Sequence, residues 1–429
     1  MFPVFYCFLL AQLILAAPSC SLVTPPLYAP SNSSNSTSSS SSNVVAASWY
    51  AGWHSSEFTL QDVSWSKYSS VIYAFAVTTP VANIIGLEDS DKTLLPQFVQ
   101  TAHANNVHAL LSIGGWTGSR YFSSSVATDT NRTAFAQAVM KLVSTYNLDG
   151  IEFDWEYPNK QGIGCNIIST NDSANFLSFL QTLRSQDGAQ NLIISAAVSV
   201  KPFVGSDGNP MTDVSEFAKV LNYIEVMNYD VWGSWSNSVG PNAPLDDSCA
   251  PSSDQDGSAI SAVKAWSSAG FPANQIILGV ASYGHSFHVS NDSAVDASGN
   301  IELYAPFDKS QQPAGDKWDG TADGVDECGN PNVVGGIFDF WGLIDGGFLT
   351  TNGTAASGMD YTFDNCSQTP FVYNPTSQVM VSYDDATSFA AKGKYISDAG
   401  LAGFAMWEAG GDSDDILLDA ISSAIGVGC

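Results

Sequence analysis

The sequence predicts an α/β fold, a (β/α)8 TIM barrel with an α+β insertion between its seventh and eighth strands. Eight short apolar runs recur along the chain, and segments of helical spacing separate them. Runs that are apolar almost throughout belong to strands covered on both faces, as in a parallel sheet under helices. Eight such strands is the number that closes a TIM barrel. An open doubly wound sheet is the alternative, and no Gly-rich dinucleotide fingerprint follows the first run to favour it.

The runs are Val44 to Trp53, Ser69 to Val77, Val107 to Trp116, Leu148 to Tyr157, Leu192 to Val200, Tyr223 to Val231, Gln275 to Gly284 and Leu401 to Ala409. After the third, Phe135, Val139, Leu142 and Tyr146 fall at helical spacing. After the fourth, Phe176, Leu180 and Leu183 do the same behind a capping Asp172-Ser173. Between the seventh and eighth runs lie about 115 residues, far more than a loop needs. This stretch is rich in Gly, Asn and aromatics (Tyr304, Phe307, Trp318, Phe338, Phe340, Trp341, Tyr373) and reads as an inserted subdomain beside the barrel mouth. The barrel is therefore assigned to residues 44–284 and 382–429, and the insertion to 285–381.

The first 19 residues form an apolar run ending in small residues, as a secretory signal peptide does. The run is shorter than the roughly 20 residues a spanning helix requires. Residues 20–43, with SNSSNSTSSSSSN, cannot bury a core and read as a flexible linker. The expectation is a secreted, extracellular protein. Apart from Cys7 in the signal, six cysteines remain without CxxC spacing, which suggests disulfides. The expected pairs are Cys165 with Cys249 at the barrel rim, Cys328 with Cys366 in the insertion, and Cys20 with Cys429. Sequons at Asn32, Asn35, Asn131, Asn171, Asn291 and Asn352 would be usable for glycosylation in that compartment.

A hydrophobic share of 45% is enough for a large core. The net charge of -28 disfavours nucleic acid and anionic membranes as partners and suits a neutral substrate or an acidic medium. The five histidines are scattered, so no metal site is expected.

The stretch LDGIEFDWEYP concentrates the chemistry. Strand alternation puts Glu152, Asp154 and Glu156 on one face and Ile151, Phe153 and Trp155 on the other. In a barrel the acids point into the lumen, where burial costs several kcal/mol unless protons are shared. The bland reading is a surface strand with a solvated acidic edge, which the apolar partners oppose. Coupled carboxylates titrate apart, so Glu156, outermost at the carboxyl end, is the candidate proton donor for glycosidic cleavage. Residues two apart on a strand stand roughly 6.6 Å apart. Both acids would then approach a sugar from one side, leaving no carboxylate opposite.

DGIEFDWEYP resembles the catalytic strand of family 18 glycoside hydrolases, the chitinases, with the pattern D-x-x-D-x-D-x-E. The resemblance spans most of residues 44–426 and includes LLSIGGW, MNYD, SYG and the Trp of FAMWE on strands three, six, seven and eight. It implies a retaining hydrolase in which the substrate's own acetamido oxygen replaces the missing nucleophile. Glu156 matches the general acid and base, Asp154 the partner of the acetamido N–H, and Tyr229 the hydroxyl that orients the acetamido group. Met227 and Asp230 match the same subsite and Trp407 the floor under the sugar being cleaved. Tyr50 and Ser112 match supporting groups near the inner acids. Asp149 matches the first acid, and Glu152 stands where the family usually has Asp. Trp116 reads as cleft lining, with Tyr157 and Tyr283 in the same substrate-binding set. His285 stands where many relatives carry Arg.

The resemblance implies chitin or chito-oligosaccharides as substrate, no cofactor and no metal, and a monomer. Two rivals stand beside it. One is a chitinase-like lectin that binds without cutting; such proteins typically lose the acid that is Glu156 here. The other is an endo-β-N-acetylglucosaminidase acting on N-glycans.

Overall fold

The computed structural model describes residues 44–427 apart from residue 297. The expected signal peptide, the linker, Cys7, Cys20 and Cys429 lie outside the described residues. Eight parallel strands close into a barrel: Val45–Ala51, Ser70–Thr78, His108–Gly114, Gly150–Asp154, Ile193–Val198, Tyr223–Val226, Ile276–Ala281 and Gly403–Trp407. Closure is made by the first strand, which pairs with the second (Ala47 with Ser70) and with the eighth (Val45 with Gly403). Every expected strand is present, most of them shorter than expected, while the second runs one residue further, to Thr78.

Alternation divides the barrel into two apolar layers. Val45, Ala47, Trp49, Ile72, Leu110, Ala197, Ile277 and Ala405 fill the lumen. The opposite set, including Tyr50, Tyr73, Ile151, Phe153 and Trp155, packs under the helices. The helix Asp129–Tyr146 starts at Thr128, whose side chain accepts from the Asn131 N–H, and ends at left-handed Asn147. The helix Asp172–Arg184 has Asn171, not Asp172, at its N-cap position, with no side-chain capping bond. The buried Asp172 carboxylate instead accepts from Ser123 Oγ and from the N–H groups of Ser169 and Asn159, tying loops together. Phe135 of the first helix and Phe176 and Phe179 of the second enclose Phe153, the last with ring centroids 5.3 Å apart. Burying such a ring is worth about 1.5–3 kcal/mol. The apolar edge of the fourth strand thus anchors outward and turns its acids inward.

A second, five-stranded antiparallel sheet grows from the seventh barrel strand. Its order is Ile337–Asp339, Tyr283–His288, Val379–Ser382, Thr369–Asn374, Asp360–Asp364. Its first strand begins at Tyr283, so cleft wall and barrel floor are one continuous piece of chain. Phe287, Phe371, Tyr373 and Met380 form its own small core. Among the described residues no helix is long and apolar enough to cross a membrane.

The disulfides overturn the expected pairing. Cys165 joins Cys328 and Cys249 joins Cys366, with Cα atoms 5.6 and 6.0 Å apart. Each rim loop lies against the insertion rather than against the other rim loop. Cys328 Sγ is 3.7 Å from the Ile163 carbonyl, and the Leu245 N–H donates to the Ser367 carbonyl at 2.8 Å.

One buried ion pair supports the barrel from outside. Lys392 Nζ lies 2.6 Å from Asp384 Oδ1, and both side chains are essentially without solvent. Burial pushes the Asp384 carboxyl up and the Lys392 ammonium down, so the charges persist only as a pair. Lys392→Met should strand Asp384 and cost about 3 kcal/mol in urea denaturation, while Lys392→Met with Asp384→Leu recovers most of it. Equal stability of the single variant and wild type would show that the pair contributes nothing.

Candidate active site

At the carboxyl end of the barrel lies a cleft of about 400 Å³. Trp49, Trp53, Phe75, Trp116, Thr117, Asp154, Glu156, Met227, Tyr229, Asp230 and Trp407 line it. Its floor is aromatic. Phe75 stacks on Trp407 with centroids 5.6 Å apart and on Trp53 at 5.9 Å, and Trp49 meets Trp407 edge-on at 5.8 Å. Trp53 and Trp116 are half exposed and flank the opening. Two further arms, both touching Trp53, extend the cleft into a groove. One of about 190 Å³ runs past His54, Trp318, Asp319, Asp339 and Glu408. The other, of about 420 Å³, runs past Asp91, Arg120, Tyr121 and Glu327. A groove of this length suits an extended ligand, and flat aromatic faces suit the apolar faces of sugar rings.

The acids stand in a column. Glu152 is fully buried, and Asp154 and Glu156 are 5% and 9% exposed. Glu152 Oε1 accepts from the Ala197 N–H at 2.9 Å. Burial pushes the Glu152 carboxyl up to about 7. Burial, then the charges of Glu156, Glu152 and Glu225, hold Asp154 well above the usual carboxylate range. Glu156 is raised to about 7, chiefly by burial and further by Asp230 and Glu152, while the Tyr157 hydroxyl opposes the rise. The outermost acid therefore keeps its proton near neutrality.

Backbone contacts fix Glu156 where the strand ends. Its N–H donates to Ser119 Oγ at 3.0 Å, Ser119 Oγ donates to the Asp154 carbonyl at 2.9 Å, and Asn166 Nδ2 donates to the Glu156 carbonyl at 2.8 Å. Gly114 is required beside this strand, since at φ 120° a Cβ would stand 2.0 Å from the Asp154 carbonyl oxygen. The peptide bonds Ala74–Phe75, Glu156–Tyr157 and Trp407–Glu408 are cis.

Across the cleft, Tyr229 follows the sixth strand, and its ring lies against Gly279, where a Cβ would come within 3.0 Å of it. Asp230 adopts the left-handed conformation, φ 54°, which Asp tolerates better than most residues. Its N–H donates to Asn242 Oδ1 at 2.9 Å, and its Oδ1 accepts from the Tyr283 hydroxyl and meets His285 Nε2, both at 2.7 Å. His285 thus takes a carboxylate partner within the site.

The structure gathers Glu156, Asp154, Tyr229, Met227, Asp230, Trp407 and Trp116 around one cleft. Tyr283 reaches it through Asp230, and Tyr157 sits beside Glu156 with its ring 5.2 Å from Lys160 Nζ. Ser112 and Glu152 lie beneath, facing the lumen, paired in register. Two residues stand elsewhere than the sequence match places them. Tyr50 faces outward, stacks on Phe98 and donates to the Phe58 carbonyl, because alternation gives the lumen to Trp49. Asp149 precedes the strand, and its Oδ2 meets His103 Nε2 and accepts from the Ala109 N–H, both at 2.8 Å, at the far end of the barrel. Sequence reasoning also missed Trp49, Phe75, Ser119, Asn166 and Glu225. The last carried a visible signal, a lone acid in the apolar run YIEV. Among the described residues no cluster of potential ligands gathers to hold a metal ion.

Comparison with known proteins agrees with the geometry. The chain is 50% identical to a chitinase-like effector of Moniliophthora roreri over 97% of this chain and 98% of that one. It is 48% identical to a chitinase-like effector of Moniliophthora perniciosa, covering 89% and 87%. The crystal structure of chitinase RmChi1 from Rhizomucor miehei superposes with a TM-score of 0.79 at 33% identity, covering 88% of this chain and 99% of that one. The model for glycosyl hydrolases family 18 matches residues 45–412, from the first barrel strand to just beyond the eighth. By that match, over strands that build both floor and acid column, the chain belongs to glycosyl hydrolases family 18.

Proposed function

We propose that the protein hydrolyses β-1,4 linkages between N-acetylglucosamine units of chitin and chito-oligosaccharides, with retention. One observation carries the reading: Glu156, held protonated to about 7, stands at the open end of a buried acid column over a tryptophan floor. A sugar stacked on Trp407 would present its leaving oxygen to Glu156. The carboxyl gives its proton to that oxygen as the acetamido oxygen bonds to the anomeric carbon and the glycosidic bond breaks. Asp154 accepts from the acetamido N–H, and Tyr229 orients the acetamido group. The Glu156 carboxylate then takes a proton from water, which opens the cyclic intermediate from the other side.

Because the proton on Glu156 is the one transferred, activity should fall as pH rises through about 7. A pH–rate profile on chito-hexaose checks this, and undiminished turnover well above neutrality would count against it. The reading extends to secretion, supported by the apolar leader and the two disulfides.

A second reading is binding without turnover. It is favoured by the names of the two Moniliophthora relatives and by Glu152 standing where the family resemblance leads one to expect Asp. Incubating the purified protein with chito-hexaose and with a high-mannose glycopeptide, while following both products and tryptophan fluorescence, separates the cases. Shortened chito-oligosaccharides support hydrolysis, quenching without products supports binding alone, and cleavage of the glycopeptide alone replaces the substrate.

A further inference from the structure

Glu225 takes no part in the chemistry above, yet it is built into the lumen. It lies on the sixth strand and is 2% exposed. Register fixes its neighbours. Ala197 of the fifth strand pairs with Asp154 on one side and with Glu225 on the other, so only a methyl side chain intervenes round that layer. One layer below, Glu152 pairs with Ser195, another small residue. Glu152 Oε1 takes the Ala197 N–H, the Ser112 hydroxyl and Trp49 indole lie beside the Glu152 carboxyl and the Ser195 hydroxyl beside Glu225, yet Glu152 Oε2 and Glu225 Oε2 are both buried with no partner in hydrogen-bond geometry.

The groups facing Glu225 are Glu152 and Asp154 from the fourth strand, Ser195 and Ala197 from the fifth, Tyr223 from its own and Ile277 from the seventh. None of them is a Lys, Arg or His. Two carboxylates in a lumen with no cation beside them cannot both ionise without a large cost, and an unpaired buried oxygen is itself costly. A single proton held between them removes both costs.

We propose that Glu225 is a positioning residue for the hydrolysis proposed above: it shares one proton with Glu152 through their unpartnered oxygens, and so sets the charge beneath Asp154. The proposal rests on that reading of the site. The intermediate of the proposed reaction is positive, so at least one negative charge in the Glu152 and Asp154 pair favours it. Burial and the Glu152 charge lift the Glu225 carboxyl to about 8, against about 7 for Glu152. Both carboxyls are raised by burial, so the pair holds one proton between them.

The test follows the glutamate side-chain carboxyl carbons by NMR in isotopically labelled protein across the acid and neutral range. Glu225→Gln takes away the shared proton that stabilises the single charge of the pair, so Glu152 should titrate in one step with its midpoint raised by about one unit. Glu225→Asp, which keeps a carboxyl, should stay close to wild type. On chito-hexaose, the acid limb of kcat/KM should move up with the midpoint, an effect a merely structural role would not produce. An unchanged Glu152 midpoint in folded Glu225→Gln protein overturns the proposal. If no variant and no wild type cuts chito-hexaose, the hydrolytic reading fails, while the midpoint still decides whether the two carboxyls share a proton.

Discussion

Glu156→Gln should lower turnover of chito-hexaose by roughly 10²–10⁴-fold and leave oligosaccharide binding within a few-fold of wild type. Gln fills the same volume and keeps the backbone contacts through Ser119 and Asn166, so the cleft should persist. What it lacks is a transferable proton. The proposed binding surface is the aromatic cleft lining of Trp407, Phe75 and Trp53, which the substitution does not touch. The expected signature is a fall in kcat with little change in KM. Turnover at the wild-type rate would remove Glu156 from the role, and with it the mechanism.

Folding stability should be greatest in mildly acidic solution and fall by on the order of 5 kcal/mol toward slightly alkaline pH. The lumen and rim carboxyls are raised in the folded protein: Glu152 and Glu156 to about 7, Glu225 to about 8, Glu408 to about 7 and Asp412 to about 6. Burial is the main cause in each. A carboxyl with a raised folded pKa binds its proton more tightly in the native state. Its contribution is fully present below the unfolded pKa near 4.5 and is lost as pH rises through the folded value. Surface acids work the other way at lower pH. Hydrogen bonds hold Asp308 at about 2 and keep Asp296 and Asp326 low, so their support is lost only in stronger acid. A net charge of -28 adds self-repulsion on the alkaline side. Thermal melting across this range should show a maximum between the two regimes. A Tm that is flat or that climbs past neutrality would contradict the account.

The barrel was legible because each strand announces itself locally. Ile151, Phe153 and Trp155 are apolar at every second place, and that spacing alone predicts the inward column of Glu152, Asp154 and Glu156. What failed depended on three-dimensional placement. Cys165 and Cys249 lie in rim loops that the strand pattern marks, but the sequence does not say which wall of the insertion each loop meets. Tyr50 stands one residue out of phase with the lumen position, which Trp49 takes, and in a strand a single step exchanges lumen for helix layer. Asp149 shares the motif's spacing but precedes the strand, so its carboxylate faces the histidines at the opposite end. Ser119 and Asn166 act through hydrogen bonds to the end of the acid strand from loops, a role that no periodicity marks.

The two cross-links overlap along the chain, since Cys249 lies inside the segment closed by Cys165 and Cys328, and Cys366 lies outside it. Any single peptide bond cut between residues 165 and 366 leaves both fragments covalently joined by at least one bridge. Had the bridges been Cys165–Cys249 and Cys328–Cys366, a cut between residues 249 and 328 would have had neither bridge across it. The observed pattern makes this chain tolerant of one proteolytic nick across both the acid-strand loop and most of the insertion. A clipped molecule would run as one band without reductant and as two with it, with the groove still assembled.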